Sequence, residues 1–197
     1  PRASGKYIAF CDGDDYWIDP FKLQKQVDFM EKNLKFVACA HNAKIMDETN
    51  EDSKSFVNFD MSKNIFTVDD FTKGEAYFHA SSMLFRNSVE LTKAYKFLDK
   101  HKGDWFRLIV FSQYGPIKYI DDVMSVYRIH DKGVWSLMDK KQQVLRNLKS
   151  TLDFNKIFNY KYEENFLNLF VRVSVNEFQN LAIDNIKSLF IDLEKDM

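Results

Sequence analysis

The chain has 197 residues, 45% of them hydrophobic, which is enough to bury the core of one domain with an appended subdomain. Lysine and arginine total 28 against 29 for aspartate and glutamate, so the charge balance argues against a nucleic-acid-binding surface. Cys11 and Cys39 form no CxxC pair, which favours reduced thiols in a cytoplasmic protein over a disulfide or zinc scaffold.

The first predicted elements are a strand and a helix. The continuous apolar run over residues 7–11 predicts a strand that is covered on both faces, as in a parallel sheet. Asp19 followed by Pro20 predicts the start of an amphipathic helix. The apolar positions at helical spacing are Leu23, Val27 and Met30. This order is typical of α/β proteins.

The middle of the chain predicts a strand, a hairpin and a short helix. The segment "KFVACAH" predicts a second strand, and the acidic turn "MDETNEDSK" predicts a hairpin. Thr67 is expected to cap a helix over residues 68–73, which Gly74 ends.

The later elements alternate again between strand and helix patterns. The segment "AYFHASSMLFR" predicts a strand, and "NSVELTKAYKFLDK" predicts a helix. The apolar segment "DWFRLIVFSQYG" predicts a buried helix that Gly115 and Pro116 end, and "IKYIDDVMSVYRIH" predicts a strand.

Residues from about Leu137 onward show helical periodicity without glycine or proline, which predicts two or three helices. Strands that alternate with helices before this point predict an α/β domain with a largely parallel sheet, where ligands bind at the carboxyl ends of strands. We expect a first domain over residues 1–136 and a helical subdomain over residues 137–197.

Three carboxylates, Asp12, Asp14 and Asp15, follow the first predicted strand directly. Adjacent carboxylates repel one another unless a cation or hydrogen-bond donors compensate them, so a site for Mg²⁺ or Mn²⁺ is one interpretation. Because Mg²⁺ completes its shell with water and phosphate oxygens, a diphosphate ligand would follow. A solvated turn that accepts backbone hydrogen bonds is the alternative.

Two other metal motifs fit this segment poorly. An EF-hand loop requires oxygen ligands and glycine where Tyr16 and Trp17 stand. Phosphatases of the haloacid dehalogenase type also carry two aspartates after a strand, but they expect threonine or valine at the position of Tyr16.

A third motif matches closely. The segment "ASGKYIAFCDGDDYWIDPFKLQKQVDFM" resembles the region around the DxD motif of family 2 glycosyltransferases, which have the GT-A fold. "FHASSMLFR", "GDW" and "YRIHDKGVWS" extend this resemblance, which spans residues 3–136. It implies a GT-A-like mixed sheet flanked by helices, followed by the helical tail.

The resemblance implies a site for a metal ion and a nucleotide. In the family, the DxD carboxylates bind a divalent ion and the ribose, which assigns Asp12 and Asp14 to the metal and Asp15 to the nucleotide sugar. His130 matches a histidine that joins the metal or the diphosphate, and its alternative is a histidine bonded to the backbone. Arg128 either pairs with phosphate or forms a surface ion pair.

The catalytic base implied by the resemblance is Asp104, which would deprotonate the acceptor hydroxyl. The positive end of the predicted helix would keep this carboxylate ionised, although aspartate at a helix start is also a routine cap. The acidic pair Asp121 and Asp122 lies within a predicted strand and indicates a bulge or an edge rather than a base.

Further side chains are candidates for sugar contacts. Trp135 lies in a predicted loop and could stack on a sugar or a nucleobase, whereas Trp17 and Trp105 are expected in the core. Ser81 and Ser82 are expected on the acceptor side. The histidines without partner spacing, which we expect to be structural, are His41, His79 and His101.

The predicted function is an inverting glycosyltransferase that needs Mn²⁺ or Mg²⁺ and uses a nucleoside diphosphate sugar and a saccharide or lipid-linked saccharide. We expect a cytoplasmic enzyme of bacterial surface polysaccharide synthesis, with peripheral membrane association. The family's first nucleotide-binding strand is expected upstream of the DxD motif. The rival hypothesis is therefore a non-catalytic fragment that keeps the metal-binding edge and self-associates through an exposed sheet edge.

Overall fold

The structure is a computed structural model that describes residues 3–48, 52–56, 59–60, 62–88 and 103–178. It consists of two compact units, Pro1–Ile129 and His130–Met197. The described residues of the first unit include a β-sheet, and those of the second include two helices. Among the described residues, no helix is both long enough and apolar enough to span a lipid bilayer.

The first unit contains strands and helices that follow one another along the chain. The strands are β1 (Tyr7–Ala9), β2 (Tyr16–Trp17), β3 (Ala38–Asp47), β4 (Asp52–Ser55), β5 (Ile65–Phe66), β6 (Leu84–Arg86) and β7 (Ile117–Ile129). The helices are α1 (Lys22–Lys32), α2 (Val68–Thr72) and α3 (Asp104–Ser112), and a 3₁₀ turn covers Ala80–Ser82.

The strands form one mixed sheet in the order β1-β6-β3-β7-β2, with β4 beside β3 and β5 beside β7. β3 and β7 are parallel, and the other strand pairs of the described residues are antiparallel. The predicted mixed α/β fold is confirmed and is consistent with a GT-A-like fold. The expectation of a largely parallel sheet is wrong, because short connections such as the β3–β4 hairpin reverse the chain direction.

β7 is irregular at Asp121 and Asp122. Ile120 and Val123, on either side of this pair, lie opposite consecutive residues of β3, so the two aspartates are extra residues in the strand. The predicted bulge is confirmed. It also brings Asp122 to α1, where its carboxylate lies 2.6 Å from Lys25 Nζ.

The short helix α2 begins as predicted. Thr67 and Asp70 form a reciprocal capping box, and the Thr67 amide donates to Asp70 Oδ2 at 2.7 Å. Gly74 follows the helix with a φ of 64°, a conformation that costs glycine little. The sequence signals at both ends of this helix therefore correspond to real contacts.

The buried face of α1 differs from the prediction. Leu23 is exposed, whereas Lys22 and Gln26 are buried beside Met30. Lys22 Nζ donates to Gln26 Oε1 at 2.8 Å and lies 4.2 Å from the ring centroid of Trp17. Burial lowers the pKa of Lys22 to about 8. A pattern of apolar residues misses this face because its polar groups find partners inside the protein.

The strand predicted for "AYFHASSMLFR" is shorter than expected. The Ser82 hydroxyl and the Ser82 amide both donate to the His79 carbonyl oxygen, at 2.7 and 3.0 Å, and these bonds close a 3₁₀ turn before β6. Most of the helix predicted for residues 87–100 lies outside the described residues.

Helix α3 begins at Asp104 and is largely buried, as predicted. Its buried residues are Phe106, Leu108, Ile109, Val110, Phe111 and Ser112. Gly115, after the helix, has a φ of 157°, and a Cβ atom there would lie 2.7 Å from the Lys35 carbonyl oxygen. Glycine is therefore required where α3 turns into β7.

The second unit contains α4 (Lys140–Ile157) and α5 (Glu163–Phe178). Asp139 caps α4 and accepts the Gln142 amide at 2.8 Å. Val144 and Leu148 form a buried cluster with partly buried neighbours, including Phe170 of α5. Two helices of the predicted tail are thus present, and residues 179–197 lie outside the described residues.

Candidate functional site

The acidic segment, defined as Asp12, Asp14 and Asp15, forms a turn after β1. The Asp15 amide donates to the Asp12 carbonyl oxygen at 3.1 Å. Asp12 and Asp14 are exposed, whereas only 2% of the Asp15 side chain is exposed. The segment therefore offers two carboxylates to solvent and keeps the third inside the protein.

Asp15 connects this segment to β7 and to the loop before the 3₁₀ turn. Its Oδ1 accepts the Arg128 amide at 3.1 Å, and its Oδ2 lies 3.6 Å from His79 Nε2. Burial raises the pKa of Asp15 to about 6, and the neighbouring charges of Asp14 and Asp12 add to this shift. Asp15, which the resemblance assigns to the nucleotide sugar, is therefore a buried carboxylate with two partners in the protein.

His79 lies against this carboxylate and is 6% exposed. Its ring centroid lies 4.3 Å from that of Tyr127, and its Nδ1 is 2.8 Å from Ser81 Oγ. Burial lowers the pKa of His79 to about 4, so the ring is neutral near pH 7. The expected structural histidine thus contacts a residue of the acidic segment.

Asp104 lies at the start of α3, and 16% of its side chain is exposed. Arg107 Nη1 donates to its Oδ1 at 2.8 Å, and the Tyr77 hydroxyl donates to its Oδ2 at 3.2 Å. Burial raises the pKa of Asp104, Arg107 opposes the shift, and the negative charge of Asp12 adds to it. Asp104 therefore lies within electrostatic range of the acidic segment.

The Arg128 guanidinium connects the acidic segment to the end of β3. Its Nη1 donates to the Asp14 carbonyl oxygen at 3.1 Å, and its Nε donates to Glu48 Oε1 at 2.7 Å. The sequence left open an ion pair or a phosphate contact, and the ion pair with Glu48 is present. Because 35% of the Arg128 side chain is exposed, the guanidinium still offers surface to an anion.

The expected acceptor residues Ser81 and Ser82 have no exposed surface. Ser81 Oγ lies 2.9 Å from Ser125 Oγ, and Ser82 Oγ donates to the His79 carbonyl oxygen. Their hydroxyls are therefore engaged within the protein, and neither offers surface to an acceptor in this structure.

The two tryptophans expected in the core both donate hydrogen bonds from their indole nitrogens to backbone carbonyl oxygens. Trp17 Nε1 donates to the Ser81 carbonyl oxygen at 3.0 Å, and Trp105 Nε1 donates to the Phe71 carbonyl oxygen at 2.8 Å. Trp105 is part-buried, whereas Trp17 keeps 36% of its surface exposed. Trp17 is thus more exposed than a core residue.

His130 and Trp135 belong to the second unit. The Lys132 amide donates to His130 Nδ1 at 3.2 Å, and Trp135 is 42% exposed. Their predicted contacts with the metal, the diphosphate or the sugar stay predictions.

The acidic segment fits a divalent cation by its donor chemistry. In the part of the chain that the structure describes, no three His, Cys, Asp or Glu side chains lie close enough together to form a metal site. Two exposed carboxylates, Asp12 and Asp14, nonetheless match Mg²⁺, which takes one or two protein carboxylates and completes its shell with water and substrate phosphates.

Sequence reasoning missed three residues around the site, which are Tyr77, His79 and Arg107. Arg107 follows Asp104 at a spacing of three residues on a helix, a signal that predicts an ion pair. His79 and Tyr77 carry no such signal, because their contacts join residues that are far apart in the chain.

A family model and several curated proteins are similar to this chain. Residues 1–92 match the model described as glycosyl transferase family 2. The chain is 28% identical over 137 residues to an uncharacterized protein of Mycobacterium bovis and to uncharacterized proteins of two strains of Mycobacterium tuberculosis. Each match covers 68% of this chain and 37% of the relative, so the matched segment is little more than a third of these longer proteins.

Proposed function

We propose that this chain, whose residues 1–92 match the glycosyl transferase family 2 model, is part of an inverting, metal-dependent glycosyltransferase. It moves a sugar from a nucleoside diphosphate sugar to a hydroxyl of a saccharide or lipid-linked saccharide. We place the reaction in the cytoplasm at the inner face of the membrane, in bacterial surface polysaccharide synthesis. The family match supports the reaction class, and the site chemistry supports the metal and the catalytic base.

The observation that carries this proposal is the approach of Asp104 to the acidic segment. The two lie some ninety residues apart in the chain, yet the charge of Asp12 raises the pKa of Asp104, and the charge of Asp104 raises the pKa of Asp15. Like charges that gather at one end of a sheet repel one another, so the arrangement favours a cationic or proton-donating ligand. A nucleotide sugar with its metal, followed by an acceptor hydroxyl, meets both requirements.

Asp104 is the general base of this proposal. The acceptor oxygen attacks the anomeric carbon from the face opposite the diphosphate, the bond to the diphosphate oxygen breaks, and the hydroxyl proton passes to Asp104. Burial raises the pKa of Asp104, which makes the carboxylate a stronger base, while the Arg107 contact keeps it ionised. Tyr77 fixes the second carboxylate oxygen.

Asp12 and Asp14 would hold Mg²⁺ or Mn²⁺, and the exposure of both side chains supports this role. The bound ion would neutralise charge on the diphosphate leaving group. Arg128 would bind the same diphosphate, because its guanidinium donates to the Asp14 carbonyl oxygen and keeps exposed surface beside it. His130 is proposed as a ligand of the metal or the diphosphate, and Trp135 is proposed to contact the sugar.

Donor hydrolysis and transfer test the proposal. The chain is incubated with UDP-, GDP- and dTDP-sugars, with Mn²⁺, with Mg²⁺ or with a chelator, and nucleotide release is measured. We expect release from one nucleotide class that the chelator abolishes. Asp104→Asn should lose transfer and keep nucleotide binding, because it removes the base and leaves the acidic segment intact.

The matched control is Asp122→Asn, which changes an exposed carboxylate on the β7 bulge outside the site. We expect it to keep wild-type activity. Metal-independent release from every donor, or equal loss in Asp104→Asn and Asp122→Asn, would contradict the proposal.

A further inference from the structure

The ring of His79 is held in one orientation by its surroundings. It lies before the 3₁₀ turn, with Tyr127 at 4.3 Å and Phe56 at 5.3 Å between ring centroids. The residue is 6% exposed, so the ring has little room to turn. Its two nitrogens therefore face fixed and different partners.

The Nδ1 side of the ring acts as an acceptor. The Ser81 amide donates to His79 Nδ1 at 3.4 Å, and Ser81 Oγ lies 2.8 Å from the same atom. An amide N–H can only donate, so Nδ1 carries no proton. Ser81 then donates its hydroxyl to the ring and accepts from Ser125 Oγ at 2.9 Å. This chain of contacts leaves the ring proton on Nε2.

The Nε2 side of the ring faces the acidic segment. Asp15 Oδ2 lies 3.6 Å from His79 Nε2, slightly beyond an ordinary hydrogen bond, and Asp15 Oδ1 accepts the Arg128 amide. An N–H therefore faces each oxygen of this buried carboxylate, one from β7 and one from His79. The neutral state of the ring agrees with this arrangement, since burial lowers the pKa of His79.

We propose that His79 is a positioning residue that orients Asp15 through its Nε2–H group and thereby fixes Asp12 and Asp14 for a divalent cation bound to a nucleoside diphosphate. The inference rests on the proposed function for its ligand. A residue behind a metal-binding group sets the direction of that group, and its loss typically costs about 10- to 100-fold in metal affinity or activity.

Two substitutions separate orientation from packing. His79→Leu keeps an apolar side chain of comparable bulk and removes the donor, whereas His79→Gln places an amide N–H near the position of Nε2. The matched control is His41→Leu, because His41 is also buried, at 2% exposed, and its Nδ1 contacts the Asn42 carbonyl oxygen instead of the acidic segment. A purely structural role would make the two His79 variants equally defective.

The first measurement needs no ligand. Nitrogen-15 NMR of the wild-type ring should report the Nε2–H tautomer of His79. The backbone amide signals of residues 12–15 should move in His79→Leu and stay in place in His41→Leu. An Nδ1–H tautomer in the wild type, or unmoved signals in a folded His79→Leu protein, would overturn the inference whatever the nucleotide experiments give.

The second measurement is calorimetric titration of UDP and GDP in the presence of Mn²⁺. We expect His79→Leu to raise the dissociation constant about tenfold or more, and His79→Gln to recover most of the affinity. An unchanged constant in His79→Leu, or an equal loss in both variants, would overturn the inference. If the wild type binds neither nucleotide, the proposed function fails, and the NMR result still decides whether His79 orients the acidic segment.

Discussion

Two groups of carboxylates in the first unit differ in how their charges are compensated. Asp19 and Asp122, at α1 and the β7 bulge, share Lys25 Nζ at 2.8 and 2.6 Å. The acidic segment and Asp104 contain four carboxylates; Arg107 donates to the Asp104 carboxylate, whereas the Arg128 guanidinium donates to the Asp14 carbonyl oxygen. Arg128 also pairs with Glu48. The first group is therefore paired with one lysine, whereas in the second group burial and neighbouring negative charges raise the pKa values of Asp15 and Asp104.

The pKa values also differ between these two groups of carboxylates. Hydrogen bonds from Lys25 lower the pKa of Asp19, whereas burial raises the pKa of Asp15 to about 6. Asp19 thus stabilises the folded protein when it is ionised, and Asp15 is destabilising in its ionised form. Proteins retain such destabilising charges at sites where the charge binds a ligand or takes part in a reaction.

The largest expected effect is on catalysis. Asp104→Asn should lower the turnover of sugar transfer by about 100- to 10,000-fold, because it removes the general base. Asp122→Asn, in the compensated group, should leave turnover unchanged. Steady-state kinetics of nucleotide release with acceptor present makes the comparison, and similar turnover in the two variants would remove Asp104 from the mechanism.

The next effect is on stability and its pH dependence. The folded pKa of Asp15 is about 6 and its unfolded pKa is about 3.9, so the folded state binds more protons between these values and gains stability as the pH falls from about 6 to about 4. Asp15→Asn removes the charge. It should raise the free energy of unfolding at pH 7.5 by on the order of 1 kcal/mol and by less at pH 4.5.

Urea unfolding at both pH values measures this change. Asp19→Asn is the matched variant, and it should have the opposite sign, because the lowered pKa of Asp19 means that its ionised form stabilises the folded state above its unfolded pKa. The account fails here if Asp15→Asn has the same effect at pH 7.5 and pH 4.5.

The smallest expected effect is that of Lys25→Gln. Its two ion pairs with Asp19 and Asp122 are solvent-exposed, so their loss should change the free energy of unfolding least among these variants. The same urea experiment measures it, and the effect should shrink as salt is added. A loss of stability larger than the change caused by Asp15→Asn would show that these ion pairs are more than solvated charge pairs.

The sequence predicts those parts of the fold whose signals are local. The α2 capping box at Thr67, the buried α3 and the β7 bulge at Asp121 and Asp122 all rest on neighbouring residues. Antiparallel pairing and the polar buried face of α1 escape prediction, because both depend on partners distant in the chain.

In the candidate site too, some residues can be predicted from the sequence and others cannot. Asp12 and Asp14 are recognisable as a motif, and Asp104 follows from the family resemblance. The direction in which Asp15 faces, and its contact with His79, require the register of β7 and the 3₁₀ turn before β6. The sequence alone cannot supply that information, because the adjacent residues Asp14 and Asp15 differ in exposure, the first being exposed and the side chain of the second being buried.

The central claim is that the acidic segment binds a nucleoside diphosphate through a divalent cation. Calorimetric titration of UDP and GDP with and without Mn²⁺ tests it most directly, on the wild type, Asp14→Ala and the control Asp122→Ala. The account predicts Mn²⁺-dependent binding of one nucleotide, lost in Asp14→Ala and kept in Asp122→Ala. Binding that Asp14→Ala retains, or no binding by the folded wild type, would contradict it.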